Sequence, residues 1–143
     1  MKRTLLIGSL SLVAVALSGQ SAKAQDTLQK AGTVARNPSY TSLLSSIEST
    51  PTATDKVKQR TNVTADQIRV VDANSVIGPN QGLSIMTAFD KHKDHITELR
   101  AAIGANPVYT AALAAHEAKP TVNNVMAVDI LADGDVIVYF RKP

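Results

Sequence analysis

The segment VMAVDILADGDVIVYFR, residues 125–141, decides the fold predicted for this 143-residue chain. Its apolar residues recur with a period near two on both sides of Asp133-Gly134, the sequence favoured in a two-residue type I′ turn. The pattern therefore predicts a C-terminal β-hairpin. With such a turn, the facing pairs are Ile130 with Ile137, Val128 with Tyr139, Ala127 with Phe140, and Leu131 with Val136.

Both faces of this hairpin are apolar, whereas a hairpin with one solvated face alternates apolar and polar residues. Either two layers of the same chain enclose the hairpin, or it meets a second copy and forms a homodimer through its face or its edge. The test is whether Val128, Ile130, Ile137 and Tyr139 are all covered within one chain. If they are, the argument for a dimer is lost.

A segment of similar character lies upstream. Gln67–Asp72 (QIRVVD) resembles Asn124–Asp129 (NVMAVD) and predicts a third strand, and Ser75–Ile77 is a candidate fourth. The predicted sheet is small and mostly antiparallel.

The chain between these strands has a helical period. One apolar stripe that includes His92 predicts a long helix from residue 83 or 84 to Ile103, ended by Gly104. Because only Gly104 to Asn106 precede the next helix, residues 84–119 are predicted to form a helical hairpin. Residues 25–143 thus read as one α+β domain, with helical hairpins packed on the sheet. The polar stretch Ser49–Thr64 is predicted to be a long loop.

Residues 37–52 and 106–121 suggest an internal duplication, since half of their sixteen aligned positions are identical. Each copy predicts a helix with Asn37 or Asn106 as N-cap and proline in the first helical position. Pro51 or Pro120 is expected to end the helix.

The first 24 residues have the form of a secretory signal peptide, with a short basic start, an apolar run and a cleavage site after Ala24. The apolar run is too short to span a membrane, so no stable membrane anchor is expected after cleavage. Removal of this peptide leaves twelve residues of each charge, and the formal charge of +3 falls to zero. A periplasmic or secreted location is predicted. Thr27–Arg36 is a weaker helix prediction.

Composition excludes several function classes. The chain has no cysteine, which rules out disulfides, thiol nucleophiles and cysteine metal sites. A neutral mature chain without a basic cluster gives no reason to expect nucleic acid or anionic lipid as a partner. No nucleophile elbow, metalloprotease helix or phosphate-binding loop is present, and the chain is not predicted to be an enzyme.

Histidine offers the first candidate site. His92 and His95 lie on the long helix and His116 on the next one, at similar distances from the connection between them. If the two helices pack antiparallel, the imidazoles could converge on a divalent metal, with Asp94 or Glu117 as nearby carboxylates. The alternative is that these histidines lie at the margin of the apolar core and have a packing role.

Carboxylates and tyrosines complete the candidates. Asp72 and Asp129 end matching strands and could form an acid–base pair, although aspartates in such places commonly cap turns, as expected for Asp133 and Asp135. Tyr40 and Tyr109 occupy matching helix positions and are interpreted as packing anchors.

The sequence therefore predicts an exported, non-enzymatic binding or protein-interaction module, with an unknown protein partner or a second copy and no cofactor. The alternative is a periplasmic metal-binding or metal-sensing protein that uses His92, His95 and His116.

Overall fold

Five helices and three strands make up residues 37–142, the part of the chain that the computed structural model describes. The predicted signal peptide and the Thr27–Arg36 helix lie outside these residues. In chain order the elements are α1 (Tyr40–Glu48), α2 (Thr50–Gln59), β1 (Ile68–Asp72), α3 (Gly82–Lys91), α4 (Lys93–Gly104), α5 (Pro107–Ala115), β2 (Val125–Ile130) and β3 (Val136–Phe140). The predicted α+β class is confirmed. None of the helices in residues 37–142 is long and apolar enough to cross a membrane.

The three strands form one mixed sheet in the order β1-β3-β2. β2 and β3 are the antiparallel pair predicted from the sequence, while β1 runs parallel to β3. The expectation of a mostly antiparallel sheet was therefore wrong for β1. A parallel pair needs a long crossover, and α3, α4, α5 and β2 supply it. The candidate fourth strand at Ser75–Ile77 was also wrong: the Asp72 side chain accepts from the Asn74 amide and caps a 3₁₀ turn there.

The hairpin has a three-residue loop, so its predicted register was wrong by one residue. The Leu131 amide donates to Asp135 O at 2.8 Å, and the Gly134 amide donates to Leu131 O at 3.0 Å. Gly134 has φ +96°, as in a hairpin closed by a glycine bulge. Val128 consequently faces Val138, and Ile130 faces Val136.

Two apolar cores lie on the two faces of the sheet. On one face, Ala127, Ile137 and Tyr139 pack with α1, α3 and the first half of α4. On the other, Val128, Val136 and Val138 pack with α2, α5 and the second half of α4. Val128, Ile137 and Tyr139 are buried and Ile130 is half-buried within one chain. The apolar hairpin is thus enclosed by its own helices and no longer argues for a homodimer.

The predicted long helix is interrupted at His92, which ends α3 and precedes α4. Its φ of −111° and ψ of 14° are not helical, and its amide is shared between Ala88 O and Phe89 O at 3.1 Å each. The predicted stripe is otherwise kept, because Ile85, Ile96, Leu99 and Ile103 are buried. As predicted, α4 contacts α5 directly after the short connection.

The predicted loop Ser49–Thr64 contains helix α2, so that prediction was wrong. Pro51 does not end a helix here; it lies in the first turn of α2, where proline is tolerated. Thr54 donates its hydroxyl to Thr50 O at 2.8 Å, and this satisfies a buried polar group. The apolar signal is weak because only Ala53 and Val57 mark the buried face.

The two similar segments do not bury matching faces. Asn106 caps α5 as predicted, but Ser39 caps α1, so α1 begins two residues later than expected. The buried apolar residues of α1 are Leu43 and Ile47, whereas those of α5 are Tyr109 and Leu113. Descent by duplication stays a prediction.

Candidate functional site

His92 and His95 lie near each other at the junction of α3 and α4, with ring centroids 6.2 Å apart. His92 Nε2 is 3.0 Å from Glu48 Oε1 on α1, a contact that fixes the junction against the first helix. The His95 ring is half-exposed and its Nδ1 is 4.0 Å from Glu98 Oε1. These two imidazoles therefore have separate carboxylate partners.

His116 has a different setting. It ends α5, accepts from the Ala118 amide through Nδ1 at 3.1 Å, and packs edge-on against Phe140 at 5.1 Å between centroids. Within residues 37–142, no group of three histidine or acidic side chains is arranged to hold a metal ion. The structure thus gives the metal hypothesis no ligand set, and that hypothesis stays a prediction.

The predicted carboxylate pair is not assembled. Asp72 is aligned with Phe140 and Asp129 with Ile137, because β1 and β2 run in opposite directions along β3. Three residues along a strand separate the two levels by about 10 Å. Asp133 accepts from the Asp135 amide at 3.0 Å, as expected of turn chemistry.

The matching tyrosines differ in burial. Tyr109 is a fully buried packing residue, and burial raises the pKa of its hydroxyl. Tyr40 is half-buried at the start of α1 and packs at the edge of the core shared with Leu43. Both positions fit the interpretation as packing anchors.

Three basic side chains converge where β3 ends, a site the sequence did not indicate. They line a cavity of about 170 Å³, which we call the cationic pocket. Its lining consists of Phe89, Arg100, Asn123, Asn124, Met126, Arg141 and Lys142. Among the residues that the structure describes, this lining contains three positively charged residues, two side-chain amides and no carboxylate.

Arg100 is fixed at the wall of this pocket by two contacts. Its Nε donates to Val125 O at 2.8 Å, at the beginning of β2, and its guanidinium carbon lies 5.7 Å from the centroid of the Phe89 ring. Burial lowers its pKa below the ordinary arginine value, although the group stays charged at neutral pH. The charge is thus held in place and partly desolvated.

Arg141 is held by its backbone, since its amide donates to Asn124 O at 2.8 Å. Its Nη1 contacts Met86 Sδ at 3.0 Å, and thioether sulfur is a weak acceptor. Within residues 37–142, neither Arg100 nor Arg141 has a carboxylate within ion-pair distance. Within these residues, no carboxylate neutralises the guanidinium groups that the pocket presents.

Asn124 is oriented by a local motif that the chain uses twice. Its Oδ1 accepts from the Thr121 amide at 2.8 Å, so its NH₂ group is left as the donor side. The Thr64 amide makes the same contact with Gln67 Oε1 at 3.0 Å before β1. This motif accounts for the matching amide residues, Gln67 and Asn124, at the start of the two similar segments, and it positions one amide of the pocket.

A second cavity of about 550 Å³ adjoins the carboxyl end of β1 and has the opposite character. We call it the acidic pocket. It is lined by Val70, Val71, Asp72, Ser75, His116, Glu117, Ala118 and Lys142. Lys142 lines both pockets, and its Nζ lies 3.6 Å from Asp72 Oδ2.

A third cavity, of about 650 Å³, lies between α2 and the α4–α5 connection. Its walls are mainly Val57, Ala101, Ala102, Pro107 and Val108. It brings together no set of polar groups comparable to that at the end of β3.

Comparison with protein-family models, with curated proteins and with solved structures found no match to this chain. The functional argument therefore rests on the site.

Proposed function

We propose that this protein is an exported, non-enzymatic binding module whose ligand is a small anion held in the cationic pocket. The observation that carries the proposal is the convergence of Arg100, Arg141 and Lys142 on one cavity, to whose lining residues 37–142 contribute no carboxylate. The export part rests on the signal-peptide pattern of the first 24 residues.

The arrangement favours an anion for an electrostatic reason. A partly buried guanidinium without a counter-charge carries a desolvation cost that a bound anion would offset. Guanidinium groups also match the oxygens of carboxylates and phosphates, with two parallel donors for each. Because the mature chain is predicted to be neutral overall, this attraction is local to the pocket.

The same lining argues for binding rather than catalysis. Its polar side chains are guanidinium, ammonium and amide groups, none of which is a ready proton acceptor or nucleophile in its ordinary state. A volume of about 170 Å³ suits a compact oxyanion with a short substituent. No comparable set of charges within residues 37–142 supports the alternative prediction of a protein partner.

Isothermal titration calorimetry with inorganic phosphate, sulfate and acetate tests the proposal. Arg141→Gln removes one pocket charge whose side chain, within residues 37–142, is bonded only to the weak acceptor Met86 Sδ, so the fold should tolerate it. We expect binding of at least one of these anions to weaken about tenfold or more. Lys58→Gln is a matched loss of one positive charge at an exposed position of α2, and it should change the affinity less than about twofold.

Two results would count against an anion site. One is the absence of binding of all three anions at millimolar concentration. The other is an equal loss in the Arg141 and Lys58 variants, which would show that the anions respond to overall charge and not to the pocket.

A further inference from the structure

We infer that the ligand is a small zwitterion, with its anionic group in the cationic pocket and an ammonium group in the acidic pocket. This inference rests on the proposed function and adds the second half of the ligand. It follows from the placement of two oppositely charged cavities on either side of one lysine.

Lys142 connects the two pockets. This residue lines both cavities, its side chain is 60% exposed, and its Nζ lies 3.6 Å from Asp72 Oδ2. The two pockets therefore adjoin at one residue, whose ammonium group lies beside the Asp72 carboxylate. A small ligand whose two opposite charges are joined by a short linker can contact both pockets.

Asp72 is positioned to receive the ammonium group. It ends β1, and its Oδ1 is engaged by the Asn74 amide at 2.9 Å, which holds the carboxylate in one orientation. Its Oδ2 faces Lys142. Glu117 adds a second carboxylate to the same lining and has no ion pair within residues 37–142.

His116 closes the other side of the acidic pocket without adding an acceptor. Its Nδ1 accepts from the Ala118 amide, so in the neutral ring the proton is on Nε2. Its ring is also packed against Phe140. The Asp72 and Glu117 carboxylates are thus the negatively charged acceptors that the described residues give this lining.

Binding of a zwitterion is then an exchange of ion pairs. The ligand's ammonium group takes the place of Lys142 at Asp72, and Lys142 is released toward the ligand's anionic group. An anion without the ammonium group has to compete with Asp72 for Lys142. The structure therefore predicts that an added ammonium group improves binding, whereas removal of the Asp72 charge improves binding of the plain anion.

Phosphoethanolamine and ethyl phosphate are a matched pair of probes, because they carry the same phosphate ester with and without the ammonium group. Calorimetry at constant pH and ionic strength compares their dissociation constants. In the unmodified protein we expect phosphoethanolamine to bind about tenfold more tightly. The protein's preference, which is the ratio of the two dissociation constants, is the quantity that the variants should change.

Asp72→Asn keeps the side-chain oxygen that caps the 3₁₀ turn, so the fold should survive. In this variant the preference should fall below about twofold, and ethyl phosphate should bind more tightly than in the unmodified protein. Asp55→Asn makes the same charge change at an exposed position of α2 and should leave both affinities unchanged.

The outcomes separate the two proposals. If neither probe binds and the simple anions also fail, the proposed function is wrong. If both probes bind equally tightly, or if the Asp72 and Asp55 variants behave alike, the anion site stands and the zwitterion inference is overturned.

Discussion

Replacement of Tyr139 by phenylalanine should stabilise the protein, although it removes a polar group from the core. Tyr139 is fully buried in β3, and within residues 37–142 its hydroxyl has no well-formed hydrogen bond. The Ser39 backbone and the Ser42 side chain lie close enough on the α1 side to lower the pKa of this hydroxyl slightly, but neither contact meets both the distance and the angle of a hydrogen bond. Desolvation of an unsatisfied hydroxyl costs about 1–3 kcal/mol, so we expect Tyr139→Phe to raise the free energy of unfolding by about 1 kcal/mol at pH 7.

Alkaline pH should widen this difference. Burial, followed by the nearby Asp129 charge, raises the pKa of Tyr139 to about 12 in the folded protein. The unfolded value is about 10, so between these values the unfolded chain releases a proton that the folded chain retains. Stability therefore falls as pH rises through this window, by about 1.4 kcal/mol at pH 11. The phenylalanine variant has no hydroxyl to ionise at this position. Its free energy of unfolding should therefore exceed that of the unmodified protein by about 2.4 kcal/mol at pH 11.

Urea unfolding followed by circular dichroism at pH 7 and pH 11 measures both numbers. Tyr40→Phe, at a half-buried ring at the start of α1, is the control and should change stability at pH 7 by less than about 0.5 kcal/mol. Two observations would refute the reasoning: a Tyr139→Phe variant that is less stable than the unmodified protein at pH 7, or a stability difference that does not change at pH 11.

Three further substitutions test the packing and the turns by the same unfolding measurement. Gly134→Ala should cost about 1–2 kcal/mol because φ is +96° there, and little or no loss would contradict the three-residue loop. Leu43→Ala, in the core, should cost about 2–5 kcal/mol, whereas Leu83→Ala, at a side chain 81% exposed, should be nearly neutral; similar losses would contradict the assigned core. Ser39→Ala and Asn106→Ala should each cost about 1 kcal/mol as losses of helix caps, and an unaffected Ser39→Ala variant would contradict the shifted start of α1.

The secondary structure was predictable where the apolar pattern is dense. β2, β3 and the buried residues of α4 follow regular periods, and their identity as strands and helix is confirmed. Helix α2 was missed because two buried threonines occupy positions where apolar residues would have marked the face. The hairpin register was missed because Asp-Gly suits the end of a three-residue loop as well as a two-residue turn, and only the backbone hydrogen bonds distinguish them.

The candidate site was beyond sequence reasoning for a topological reason. Arg100 lies on α4, while Arg141 and Lys142 follow β3, so no local spacing relates the three. Their convergence depends on α4 reaching the beginning of β2, where Arg100 contacts Val125 O. Conversely, the histidines and aspartates that attracted interest in the sequence have separate structural partners, such as Glu48 for His92 and the Asp135 amide for Asp133.

The position of β3 in the sheet constrains when the protein can fold. β3 follows β1 and β2 in chain order but is the middle strand of the sheet, so β1 and β2 have no strand to pair with until residues 136–140 are present. A chain that leaves the ribosome N-terminus first therefore cannot form this sheet before residues 136–140 emerge, and any fragment that ends before Val136 lacks the centre of both cores. Formation of the sheet waits until β3 has emerged, and a chain cut before or within residues 136–140 should lose the whole fold, because both β1 and β2 lose their pairing strand.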